Sequence, residues 1–144
     1  MIPLYALIAA FLMFKGLGLL GVAYFEGWHP PLRGAVAVMM LVAASAHWGR
    51  RRSDLIRMVP AGFPGPDRIV TITGLLEIAG AVGIWFPATS QAASVALALL
   101  LVAMFPANVK AARERLTIAG RPVPNLLPRT MLQIVFVAAI LLAG

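Results

Sequence analysis

Six side chains in this 144-residue chain are candidates for chemistry away from bulk water: Lys15, His47, Arg57, Glu77, Asn108 and Gln133. Glu77 is the pivot. It sits near the middle of DRIVTITGLLEIAGAVGIWFP (67–87), which reads as a membrane-crossing helix. A carboxylate at bilayer depth costs about 2.5–3.5 kcal/mol on insertion scales, so it must face protein or a cavity. A desolvated carboxyl is a candidate acid, base or proton relay, and His47 is its candidate partner. The same atoms would equally suit a ligand's polar head. The competing reading is packing alone, with Glu77 paired to Lys15 or hydrogen-bonded to Gln133 and Asn108 so that the helices lock. These residues leave open whether the protein is an enzyme. Metal chemistry has little support: cysteine is absent and the two histidines, His29 and His47, stand far apart in sequence.

Helical spacing predicts which way Glu77 points. Its own face reads Val70, Thr73, Gly74, Gly80, Ala81 and Ile84. The opposite face reads Ile72, Leu75, Ala79, Val82 and Phe86. Small residues flank the carboxylate and are expected to leave room around it, while the larger ones turn to lipid.

The elements that must position these groups follow from composition. Apolar residues make up 61% of the chain and charged residues 12%, too little polar surface to cover a soluble globule. The mean hydropathy of +0.92 agrees. The expected fold is therefore all-α, a polytopic membrane helix bundle with five transmembrane helices and a single domain over 1–144. The spans are predicted at about 2–25, 32–48, 69–86, 91–108 and 131–143, the last starting as early as Leu126. The second is short and carries Arg33. Pro106 should kink or end the fourth. Small residues on the fourth (Ala92, Ala96, Ala103) suit helix association. The N-terminal run lacks a charged leader and a cleavage site and contains Lys15, so it reads as a retained helix. Ser53 is expected to cap a short interfacial turn in the 49–68 connection, with Asp54 in its first turn.

A net charge of +7 raises nucleic acid as a partner, but no aromatic-rich RNA motif or basic DNA-reading helix is present. The charges read instead as topology. Arg50, Arg51, Arg52, Arg57, Arg68, Lys110, Arg113, Arg115, Arg121 and Arg129, ten of the twelve Lys/Arg, flank two connections that five spans put on one side. That side is expected to be cytoplasmic, with the N-terminus cytoplasmic and the C-terminus outside, in a bacterial-type inner membrane. Trp28, Trp48 and Trp85 read as interface anchors. On this topology Glu77 lies nine residues above Arg68, about 13 Å into the slab. His47, Asn108, Gln133 and Lys15 are expected to converge with it, and Arg57 to fold beneath them.

Several short motifs, in order and at their spacing, carry a resemblance: His47-Trp48, Met58-Val59-Pro60, Phe63-Pro64, Gly74…Glu77-Ile78, Phe105-Pro106-Ala107-Asn108 and Arg129…Leu132-Gln133. Over roughly 40–143 the chain resembles the DoxX-like family of small integral membrane proteins. The family usually has Phe after the histidine, where this chain has Trp48. The resemblance implies a DoxX-like four-helix core over 32–144, with 1–31 an added N-terminal helix and link. It implies a polar pocket built from His47, Glu77, Asn108 and Gln133. The family is named after a subunit associated with thiosulfate:quinone oxidoreduction. Its members thus suggest binding of a small hydrophobic or amphiphilic ligand (quinone or lipid), or an accessory subunit docked on a membrane partner or a second copy. The alternative is a membrane redox component using Glu77 and His47 in proton transfer. No cofactor motif is evident beyond a possible quinone, and the lack of cysteine argues against an autonomous thiosulfate oxidase.

Overall fold

The computed structural model describes residues 2–144. The chain forms α1 (Ile2–Leu19), a 3₁₀ turn (Ala23–Phe25), α2 (His29–Ser45), α3 (Arg52–Met58), α4 (Pro66–Trp85), α5 (Pro87–Arg113), a two-strand ribbon β1 (Thr117–Ile118) and β2 (Arg121–Pro122), and α6 (Leu126–Ala143). Proline opens α4 and α5 and stands in the first turn of α2. There its missing N–H costs no helical hydrogen bond and its fixed φ favours the first turn. Only Phe86, extended at φ −90° and ψ 125°, separates α4 from α5, so the two must pack as antiparallel neighbours.

Four helices, α1, α4, α5 and α6, are long and apolar enough to cross a membrane. α2 falls one residue short of that length at 17 residues and carries Arg33, yet it lies deepest: Ala35, Val36, Met39 and Met40 are fully buried. α2, α4, α5 and α6 close a ring, each packed on the next and α6 back on α2, while α1 lies outside against α2. Met39, Met40, Ile84, Leu97 and Ile140 fill the middle. The outward faces carry Leu12, Ile72, Leu75, Leu99, Val102 and Ile134, all exposed. Between helices in lipid, contact packing rather than exclusion of water holds such a core. Gly80 illustrates it, since a Cβ there would run into the isobutyl group of Leu97 and push α4 off α5.

Contacts at the two ends fix how the helices run. At one end Arg33 Nε donates to the Ala143 carbonyl (3.4 Å), Ser90 Oγ to the Gly144 carbonyl (3.0 Å) and the Tyr24 hydroxyl to the Trp85 carbonyl (3.3 Å). At the other end His47 meets Val70, and Arg129 meets Asn108. Successive long helices therefore alternate in direction, and α2 runs the height of the bundle beside α4, from Gly34 against Trp85 to His47 against Gly74.

Several expectations need correction. α5 continues through Pro106 to Arg113 as one helix of 27 residues. Its inward face is Ser90, Ser94, Leu97 and Ala98, whereas Ala92 and Ala96 are exposed, so any association through that small-residue stripe would be with a helix outside the ring. α2 ends at Ser45, leaving His47 and Trp48 in the turn beyond it. Ser53 does not cap α3, which starts without a side-chain cap. Its neighbour Arg52 instead ties the segment down, donating to the carbonyls of His47 (2.8 Å) and Asp67 (3.0 Å) and to Thr71 Oγ1 (2.9 Å). The ribbon was not expected. Ala119 and Gly120 at its turn both take positive φ (52° and 74°), the backbone a tight two-residue hairpin turn requires.

Candidate functional site

Burial along α4 follows the face read from spacing: Val70, Gly74, Glu77, Ala81 and Ile84 are buried, and Ile72, Leu75, Val82 and Phe86 exposed. Glu77 thus projects into the ring, 4% exposed. His47 reaches it from the turn after α2, with Nε2 3.4 Å from Oε2. Gly74 makes this approach possible, because a Cβ there would stand 2.7 Å from the His47 ring. The small residues therefore do not leave empty space: His47 and Trp48 occupy the groove at Gly74, and Leu97 that at Gly80.

The imidazole is held from its far side. His47 Nδ1 lies 2.6 Å from the Val70 carbonyl, which can only accept, so Nδ1 carries a proton. Nε2 then faces Oε2 with one proton between them at most, on one atom or the other. Oε2 has no hydrogen-bond partner of normal geometry among the described residues. A buried polar atom in that condition is costly and calls for a ligand or a proton.

Beside this pair opens a cavity of about 500 Å³. Its walls are Val42 and Ala43 of α2 with Ala46 just beyond it, Ile69, Val70, Thr73 and Glu77 of α4, and Leu100, Ala103, Met104 and Ala107 of α5. Leu55 and Met58 of α3 and Ile118 of the ribbon cap it, and Ile2 and Pro3 of α1 add to the rim. Exposed Phe63, Ala103 and Pro106 mark its open side. The space is apolar apart from His47, Thr73, Glu77, Asn108, Arg51 and Arg129. This is the composition of a small-molecule site, and the volume lies within the ~300–1,000 Å³ such sites occupy.

The expected convergence holds only in part. Asn108 lines the cavity, but its polar atoms are committed elsewhere: Oδ1 accepts from Arg129 and Nδ2 donates to Gln133 Oε1 (3.3 Å). Gln133 in turn donates to the Leu101 carbonyl. Arg129, Asn108 and Gln133 thus form a chain clamping α6 to α5. Lys15 lies at the opposite end of the bundle, where Nζ donates to the Gly27 carbonyl (2.6 Å), so it cannot meet Glu77. Arg57 is also outside the cavity. It pairs with Asp54 and donates to the Thr117 carbonyl (3.4 Å). Three cavity residues, Thr73, Arg51 and Arg129, were missed as site residues. The spacing offered a signal for two: Thr73 stands four residues before Glu77 and Arg129 four before Gln133, on shared helix faces.

Residues 36–143 match a family model described as a domain of unknown function, DUF8561. The chain belongs to the DUF8561 family. No curated protein and no solved structure matches it. The DUF8561 region spans the ring from the second turn of α2 to the end of α6 and holds His47, Thr73, Glu77 and Arg129. Lys15 and the α1 rim residues Ile2 and Pro3 lie outside it.

Proposed function

We propose that this member of DUF8561 is a five-span inner-membrane protein of DoxX-like type that binds a small amphiphile, of lipid or quinone class, in the cavity beside Glu77. The observation that carries the reading is a single atom. Glu77 Oε2 is buried with no hydrogen bond of normal geometry, only His47 Nε2 at 3.4 Å, in the wall of an apolar space large enough for a ligand. A purely structural carboxylate would be expected to complete its hydrogen bonds within the protein. The DoxX likeness is supported by a ring of four helices with a histidine and a glutamate facing each other inside it. The cytoplasmic assignment of the cavity end rests on the ten basic residues gathered there.

A second reading is favoured by the proton count of the His47–Glu77 pair. One mobile proton between two buried groups is an arrangement for proton transfer, as in a membrane redox component. Native mass spectrometry of the full chain released from mild detergent tests the first reading. Wild type should carry a saturable one-to-one amphiphile adduct that is weakened in Glu77→Gln. A bare wild-type protein that takes up no added lipid or quinone would overturn it. Retention of the adduct in Glu77→Gln, together with loss of a proton-coupled activity, would favour the second.

A further inference from the structure

The polar groups at the deep end of the cavity share one property: their own protons are spoken for. Thr73 gives its hydroxyl proton back to its helix, to the Ile69 carbonyl at 2.9 Å with the Val70 carbonyl at 3.2 Å. His47 gives Nδ1–H to Val70 at 2.6 Å. What remains is the Thr73 oxygen and the Glu77 carboxylate, whose Oε2 has no hydrogen bond of normal geometry and only His47 Nε2 nearby at 3.4 Å. A carboxylate offers about four lone-pair sites, so it stays an acceptor even when one proton is shared with His47. The α4 wall of the cavity is therefore a nest of acceptors, while the cavity's donors stand on other elements: Arg51 in the turn before α3, and Arg129 on α6, whose Nε has no hydrogen-bond partner among the described residues.

We propose that the cavity selects amphiphiles by a hydrogen-bond-donating head, a hydroxyl on an apolar body, delivered to Glu77 and Thr73. A head that can only accept, such as an ether or a ketone, would leave the carboxylate unpaired and add lone-pair repulsion. This rests on the amphiphile-binding reading above. It adds the chemical class: the hydroxylated form of a ligand binds and its acceptor-only form does not.

A matched pair of probes isolates the single proton: 4-octylphenol and its methyl ether, 4-octylanisole, share ring and tail. Each is titrated against the full chain in nanodiscs, with saturable one-to-one adducts counted by native mass spectrometry. The phenol should bind roughly ten- to a hundred-fold more tightly, the range expected for one hydrogen bond to a charged group. Glu77→Gln should bring that ratio to within about threefold. Thr73→Val, which keeps the shape, should reduce it by a smaller factor and serves if the first variant does not fold. Equal affinities in wild type, or tighter binding of the ether, overturn the donor rule while the cavity reading stands. Failure of both probes to bind overturns the cavity reading itself, and the donor rule with it.

Discussion

A Cβ at Gly74 would stand 2.7 Å from Cγ of His47 and 2.8 Å from the indole of Trp48, both closer than packed atoms tolerate. Overpacking of this kind costs about 1–3 kcal/mol. The better helix propensity of alanine returns only ~1 kcal/mol. Gly74→Ala should therefore lower the unfolding temperature and weaken ligand retention together, because the displaced group is the imidazole. Gly16 in α1 has nothing within 4 Å of its Cβ position, so Gly16→Ala gains the propensity alone and should raise the unfolding temperature. Should Gly74→Ala match or exceed wild type, the seating of His47 by this glycine is wrong. At this scale the sequence revealed the direction of Glu77, because a 3.6-residue period is a local property. It did not reveal the partners. Lys15 can bend toward either membrane face, and whether Asn108 meets Glu77 or Gln133 depends on how far α5 slides along α6. Neither is written in any one helix.

Among the elements, α3 and the ribbon form the cap over the cavity, and one carboxylate pins them to each other. Asp54 accepts the backbone N–H of Ala119 (2.8 Å) and pairs with Arg57, while Lys110 donates to the carbonyls of Arg57 (2.8 Å) and Val59 (2.9 Å). The Ala119 amide, then the Arg57 guanidinium, hold the Asp54 carboxyl below the usual carboxylate range. A depressed folded-state pKa contributes stability above the unfolded value that is lost as pH falls through the folded one. The protection factor of the Ala119 amide, taken relative to its intrinsic exchange rate, should stay flat down to about pH 4 and then drop. Asp54→Asn should be poorly protected at every pH. A wild-type factor unchanged at the lowest pH, with the bundle still folded, would mean that Asp54 is not the latch. Leu55, Met58 and Ile118 line the cavity, so loosening this cap also opens the cavity at that end. The latch was hidden from sequence reasoning because two-residue strands have no periodicity. Asp54 and Ala119 are also 65 residues apart. The long apolar helices were legible for the opposite reason, since each declares itself within its own 18 or more residues.

For the molecule as a whole, α2 decides the topology. Its 17 residues span about 25 Å at 1.5 Å per residue, slightly less than a hydrocarbon core of ~30 Å. On the five-span reading two features would make up the difference. Exposed Trp28 and Trp48 stand just outside its two ends, where indoles anchor at the membrane–water interface. Arg33 sends its guanidinium to the Ala143 carbonyl at the bundle's end, away from the bilayer centre. α4 and α5 put both basic connections at one end of the bundle, and α2 puts Gly27 at the other. A reporter active only outside the cytoplasm should then be active when inserted after Gly27 or fused after Gly144, and silent after Gly62 or Gly120. The pair Gly27 and Gly62 brackets α2, so the two should report opposite sides. The same signal from both, in proteins expressed at equal levels, would mean that α2 lies within the bundle without crossing. The two arginine-rich connections would still share a face, because α4 and α5 both lie between them, and only α1 would reverse its direction across the membrane.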